Sequence, residues 1–271
     1  MNLPTGGYFG RRVSSDIGAN VLVGVDVGGS GIKAALVDCS RGEASGRIRV
    51  ATPQPATPAA VADTVASLVR QFDVVGPIGC TLPAVVSHGV VHTATHIDRG
   101  WIGTNGADLL SNATGRQCVV VNDADAAGVA EARFGAARDR SGVVVVITVG
   151  TGVGSALLVD GLLVPNSELG HLYVETHLAD TWVSDATRTR DNLSWKHWSS
   201  RFERYLQRLQ DVIWPELIVV GGGIVKFADK FVDRINIDCE VRIAALGNLA
   251  GIVGAAVVAA EGAHAVASDR A

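Results

Sequence analysis

At 271 residues the chain is long enough for two domains and a sizeable core, and 48% hydrophobic with 18% charged residues is the composition of a globular protein rather than a disordered one. A net charge of −4 supplies no overall basic field for nucleic acid, which leaves only local basic faces to consider. Cys39, Cys80, Cys118 and Cys239 stand far apart with no C-x-x-C pair, arguing against a zinc site or disulfide framework, and no apolar run approaches the roughly 20 residues of a membrane span.

Residues 1–20 are rich in glycine and polar side chains and lack the apolar core of a signal peptide, so a flexible tail on a cytoplasmic protein is expected. Residues 23–38 then read as strand, glycine turn, strand: β-branched residues run into Asp26, Gly28, Gly29 and Gly31 surround Ser30, and an apolar run follows Lys33. Bare glycine backbone lets several N–H groups converge on one anion, so the tip suits a phosphate. Asp26, just before it, is placed to hold a magnesium ion directly or through water. An ordinary Gly-rich hairpin carries the same pattern.

A third strand is predicted over residues 46–52, broken by Pro53-Gln54-Pro55. Thr57 then caps a helix with Pro58 at its first position and Val61, Val65, Leu68, Val69 and Phe72 on one face. Residues 77–83 and 85–93 read as short strands. His88, His92 and His96 recur every fourth residue, but extended chain separates such positions by roughly 13 Å, too far for one ion. Residues 101–106 read as a loop in which Trp101 and Asn105 can touch a polar small molecule, or as a plain turn. A buried strand over 119–121 ends at Asn122-Asp123, and a helix over 124–134 is stopped by Gly135. Ligands of α/β proteins gather at such strand ends, although Asp123 also suits a simple N-cap.

The second half repeats the opening. Residues 148–160 align with 26–38 without a gap, matching at Val27/Val149, Gly28/Gly150, Ala34/Ala156, Leu36/Leu158, Val37/Val159 and Asp38/Asp160. The duplication predicts two phosphate-gripping hairpins, one per half, facing each other as a clamp that closes over a phosphoryl donor. Neither is a P-loop, since no G-x-x-x-x-G-K-[ST] occurs. A third strand over 162–164 leads to a loop in which Glu168 and His171 flank a glycine and can bond neighbouring hydroxyls, unless the loop is only a surface turn. Residues 176–192 are polar and without pattern. The stretch 195–214 reads as a helix with Phe202, Leu206, Leu209 and Ile213 on one face. Arg201, Arg204 and Arg208 lie on another, either a solvated face or a track for a polyanion. A strand over 217–220, the turn Gly221-Gly222-Gly223, a helix over 224–234 and a closing helix over 248–260 complete the chain.

Together, residues 26–33, Asn122-Asp123-Ala124-Asp125-Ala126-Ala127-Gly128, residues 150–156, Glu168-Leu169-Gly170-His171 and Gly221-Gly222-Gly223 resemble the ROK (repressor, ORF, kinase) family of sugar kinases. Residues 52–58, the Trp101 loop and the ending 250–256 look most like its actinobacterial polyphosphate glucokinases and glucomannokinases. The likeness runs from about residue 21 to 260.

The resemblance implies an α/β, actin-like (RNase H-like) duplicated ATPase fold, with lobes over residues 21–139 and 140–271 around a central cleft. It further implies a homodimer that phosphorylates glucose from polyphosphate, ATP or both with Mg2+, without nucleic-acid or membrane partners. Carried onto this chain, Asp123 is the catalytic base, and Asn105, Asn122, Glu168 and His171 bind sugar. Gly28, Gly29, Ser30, Gly31, Lys33, Gly150, Thr151 and Gly152 hold phosphate, Gly221, Gly222 and Gly223 sit near a nucleotide base, and Asp26 serves the metal. A carboxylate at a helix start is expected to stay ionised near neutrality, a weak base that a loose transition state tolerates.

Three departures from the family pattern stand out. The Cys-rich zinc motif after the Gly-His is absent, Ala84 replaces a glycine, and residues 173–190 match poorly, leaving Glu175 as a candidate further sugar ligand. A strictly ATP-dependent kinase and a catalytically silent sugar sensor are the alternatives. Repressor members carry a helix-turn-helix domain ahead of this fold, for which residues 1–20 leave no room.

Overall fold

The computed structural model describes residues 20–95 and 97–268; the tail expected over residues 1–20, save Asn20, and His96 lie outside the described residues. The first half runs β1 (Val21–Val27), β2 (Ile32–Asp38), β3 (Glu43–Val50), α1 (Pro58–Val69), β4 (Ile78–Leu82), β5 (Val86–Ser87), β6 (Val90–Val91), α2 (Gly106–Thr114), β7 (Cys118–Asn122) and α3 (Asp123–Phe134). The second begins with β8 (Val143–Val149), β9 (Val153–Val159), β10 (Leu162–Val164), β11 (Tyr173–Val174), β12 (His177–Leu178), α4 (Ala179–Val183) and α5 (Asp185–Arg190). It ends with α6 (Trp195–Ile213), β13 (Leu217–Gly221), α7 (Ala228–Phe231), β14 (Glu240–Ile243) and α8 (Ala250–Ser268).

Two five-stranded sheets have the same order, β3-β2-β1-β4-β7 and β10-β9-β8-β13-β14. In each, an antiparallel meander supplies three strands and two further strands add in parallel. The duplication seen in the hairpins therefore extends to whole sheets. One detail of the gapless alignment is corrected: Val27 pairs with Ile32 but Val149 with Val153, so the second turn is one residue shorter and residues after it are displaced by one.

The sheets are joined by an exchange of helices. The boundary expected at 139/140 separates the two sheets, but α8 leaves the second half and lies on the first sheet. A Cβ at Gly79 would stand 1.8 Å from the Ala255 carbonyl oxygen and one at Gly24 2.1 Å from that of Ile252. Reciprocally, α3 lies on the second sheet, where a Cβ at Gly128 would meet the Ala156 Cβ at 2.4 Å. Ala127, Ala130, Val253, Ala256 and Val257 of the two helices bury one shared cluster with Ala35 and Val37 of β2. Small residues thus bring backbone against backbone where the lobes meet.

Several local expectations change. Residues 85–93 do not run straight: His88 (φ 49°) and Gly89 (φ 80°) form a two-residue turn with positive φ at both positions, pairing Val86 with Val91. The loop expected at 101–106 runs into α2, capped by Asn105, whose side chain accepts from the Asp108 N–H. Residues 176–192 fold as β12, α4 and α5, the last capped by Ser184. The single helix expected over 224–234 is split into short 3-10 and α turns. Aromatic packing breaks it, with Phe227 turned onto Trp195 and buried Phe231 set edge-on to Trp198 and Phe202.

The close approach at α8 yields a test. Gly79→Ala must push a helix backbone off the first sheet, and thermal melting is expected to show a loss of about 3 kcal/mol, or roughly 6–12 °C in Tm. An unchanged Tm would show that α8 does not sit on β4.

Candidate active site

The two glycine turns open on one groove of ≈ 770 Å3 between the sheets. On the first wall, Asp26 and Lys33 are cross-strand partners, and the Lys33 ammonium lies 2.8 Å from Asp26 Oδ2. The Thr81 hydroxyl on neighbouring β4 donates to Asp26 Oδ1 at 3.0 Å and accepts from the Val27 N–H at 3.2 Å. The turn carrying Gly28, Gly29 and Ser30 lines the groove, closed by the Gly28 N–H on the Gly31 oxygen at 3.1 Å and held through its carbonyls. Thr52 donates to the Gly28 oxygen, Gln54 to that of Gly29 and Arg49 to that of Ser30. On the second wall, Thr151 and Gly152 face the groove, and Asp180 of α4 accepts from the Val153 N–H at 2.6 Å.

The floor is the junction of β7 and α3. Asn122, not Asp123, is the N-cap: its Oδ1 accepts from Ala124 and Asp125 N–H groups at 2.8 and 3.0 Å, and its Nδ2 donates to the Ala84 carbonyl at 3.0 Å. Capping is thereby satisfied by the neighbour, and the Asp123 carboxylate faces the groove with one bond, from the Ala124 N–H. Burial raises its pKa to about 7, helped by the charges of Asp26 and Glu168 and only partly offset by hydrogen bonds. The expectation of an ordinary, strongly acidic helix-start carboxylate is corrected: desolvation outweighs the helix dipole, and Asp123 is a base poised near neutrality. At the far end Glu168 and His171 line the groove, with Glu168 Oε2 3.6 Å from His171 Nδ1, close enough to share one hydroxyl partner.

Most predicted positions converge here, and some do not. Asn105 is spent on α2, its Nδ2 donating to Asp108 Oδ2 at 2.6 Å, and lies off the groove. Asn122 borders the groove with its Oδ1 used by the helix and one of its two amide hydrogens on the Ala84 carbonyl. Gly31 backs onto the Arg49 guanidinium, and the Gly150 carbonyl accepts from the Ala186 N–H. Of the triple glycine only Gly223 reaches the groove, since Gly222 (φ 79°) is pressed on the Val149 backbone. Glu175 is ion-paired to Arg204 at a hairpin turn outside the groove. Arg201 and Arg204 lie over the Trp182 ring of α4, and neither they nor Arg208 line the groove.

Residues not foreseen include Thr93, Thr95, Asp180 and Thr148. Thr148 holds the place in the second hairpin that Asp26 holds in the first, a signal the alignment carried. Among the described residues no cluster of three or more acidic, His or Cys side chains encloses a bare metal ion. Asp26 and Asp123 nevertheless suit a hydrated Mg2+, which keeps several waters and takes one or two carboxylates together with substrate phosphates.

The comparisons agree with this geometry. A family model described as "ROK family" matches residues 22–183. The polyphosphate glucokinase of Mycobacterium tuberculosis (strain H37Rv) is 47% identical over 236 residues, covering 86% of this chain and 89% of the relative. That of Mycobacterium leprae (strain TN) is 43% identical over 236 residues, covering 86% and 73%. The solved inorganic polyphosphate/ATP-glucomannokinase of Arthrobacter sp. strain KM superposes with a TM-score of 0.87 at 46% identity, over 89% of this chain and 99% of that one. A ROK glucokinase from Streptomyces griseus, solved with glucose and AMPPNP, has a TM-score of 0.76 at 24% identity over 89% and 99%, and bears on the fold alone. Duplicated actin-like sheets, paired glycine turns and this degree of identity lead to one conclusion: the chain belongs to the ROK family.

Proposed function

We propose that the protein is a glucokinase that transfers a phosphoryl group from inorganic polyphosphate, ATP or both to the 6-hydroxyl of glucose. One observation carries the reading: a carboxylate with a pKa near 7 stands on the floor of a groove walled by two glycine turns. The nearly half-identical polyphosphate glucokinases and the glucomannokinase give the substrates.

Glu168 and His171 hold the sugar so that its 6-hydroxyl meets Asp123. As the hydroxyl oxygen bonds to phosphorus, its proton passes to Asp123 and the bond from phosphorus to the bridging oxygen of the donor breaks, releasing a donor one phosphate shorter. The transition state is loose and most of the acceleration is positional, supplied by the turn at Gly28, Gly29 and Ser30, by Lys33, and by Thr151 and Gly152. When bound beside Asp26 and Asp123, Mg2+ supplies charge neutralisation of the transferring phosphate. A homodimer and a cytoplasmic location belong to the same proposal on the strength of the resemblance.

Gly223 on the groove wall favours ATP as one donor. A Cβ there would meet the Val149 oxygen at an ordinary 3.9 Å, so Gly223→Ala should fold normally. Steady-state assays with glucose and each donor are expected to show ATP-supported turnover falling while polyphosphate-supported turnover holds. Equal loss with both donors would take the base away from Gly223, and no turnover with either donor in the unaltered protein would end the kinase reading.

Because the base must be unprotonated, kcat/KM should rise with pH through about 7. Asp123→Ala should lose about 100- to 10,000-fold in turnover while calorimetry still detects glucose. A profile flat from pH 5.5 to 8 would remove Asp123 from the chemistry.

The same shift acts on stability with a definite sign. Folding raises this carboxyl from near 4 to about 7, so its contribution to stability falls as pH rises from 4 to 7 and the full cost is present above 7. Asp123→Asn should therefore melt higher than the unaltered protein at pH 8, with the difference vanishing near pH 4. Equal melting at pH 8 would contradict the burial of this charge.

A further inference from the structure

The groove is bounded at its sugar end by segments of both sheets, and one side chain joins them. Asn166, in the loop after β10, accepts from the Val86 N–H through Oδ1 at 3.0 Å and donates to the Val86 carbonyl through Nδ2 at 2.9 Å. The amide imitates a paired strand residue and extends the β5–β6 hairpin of the first half by one position. That hairpin is closed by the Thr93 hydroxyl, which accepts from the Val85 N–H, and it leads directly to the groove residues Thr93 and Thr95. The Asn166 backbone N–H donates to Asp125 Oδ2 at 2.8 Å, and the other oxygen of that buried carboxylate has no partner. Asn166 itself has φ 58°, a left-handed conformation that asparagine tolerates.

The rest of the loop is anchored to the second half alone. The Ser155 hydroxyl donates to the Ser167 carbonyl and accepts from the Leu169 N–H, and Gly170 lies against the Val153 carbonyl, where a Cβ would come within 2.1 Å. Those contacts keep Glu168 and His171 with β9 however the halves sit. The Asn166–Val86 pair fixes them relative to the β5–β6 hairpin and Thr93, while the Asn166 N–H on Asp125 and the packing of α3 on β9 hold them relative to the floor at Asp123.

We propose that Asn166 is a positioning residue for the sugar: by pairing with Val86 across the groove, it sets the distance between the Glu168–His171 wall and the hairpin wall at Thr93. The proposal rests on Glu168 binding sugar, as inferred above. It confines the effect of Asn166 to one substrate, because the donor meets the glycine turns at the other end.

Asn166→Gly removes the amide while keeping a residue at ease with positive φ. Two lost hydrogen bonds should raise the glucose KM about tenfold, with kcat and donor KM within about twofold of normal. Glu168→Gln alone tests the sugar reading, and a double-mutant cycle tests the link: if Asn166 acts through Glu168, the double variant should have a glucose KM within about twofold of Glu168→Gln. Multiplying effects, an unchanged glucose KM in Asn166→Gly, or an equal rise in donor KM would each overturn the proposal. Should Asn166→Gly fail to show a cooperative melt, Asn166→Asp keeps the acceptor for the Val86 N–H but loses the donor. It should then raise the glucose KM about threefold by the same accounting, and no rise would count against the clasp. Unchanged glucose KM in Glu168→Gln would remove the sugar reading and this proposal with it, independently of what happens at residue 166.

Discussion

The structure turns on the cost of holding Asp123 ionised in a place where water is scarce and a second carboxylate, Asp26, is near. Left alone, two such groups resist ionising together, and the one with fewer bonds gives way. Here the difference is arranged by neighbours: Asp26 has the Lys33 ammonium and the Thr81 hydroxyl, while Asp123 has a single backbone N–H. Asp26 is thereby paired, and Asp123 is the carboxylate whose pKa rises to about 7. Asn122 makes this possible by capping α3 itself, which spares Asp123 the role its sequence position invites.

Duplication explains the frame but not the chemistry. Two sheets of one topology deliver two glycine turns to one groove, and exchanged helices with glycine contacts make the halves a unit. The copies then differ where it matters. The first bears Asp26 and Lys33 at its turn, whereas the second bears Thr148 opposite Gly154 and a turn one residue shorter. One hairpin carries charge and the other presents neutral backbone, a division suited to a ligand that needs both a cation-bearing side and a snug one.

The sequence made legible what is local and repeated. Periodicity located β1, β2, β7, β8, α1 and α6, and the motif resemblance located most of the groove, because such signals depend on near neighbours. It was silent where tertiary packing decides. Phe227 and Phe231 break a helix by turning into an aromatic cluster, His88-Gly89 reverses a strand with an unusual turn pair, and Asn105 caps a helix where a loop was expected. The raised pKa of Asp123 was equally invisible, since it arises from burial and from Asp26 and Glu168, far away in the chain. Asn105-Gly-Ala-Asp108 did carry a capping pattern that could have placed α2.

The charge of the groove bears on how any phosphate chain is admitted. Asp26, Asp123, Asp180 and Glu168 line it against the lone ammonium of Lys33, and that ammonium is already engaged by Asp26. Arg201 and Arg204 of α6 do not relieve this, because they are held over Trp182 and, for Arg204, by Glu175. Among the described residues a polyanion entering such a groove meets a net negative wall, a setting that suits a donor bringing divalent cations on its own phosphates.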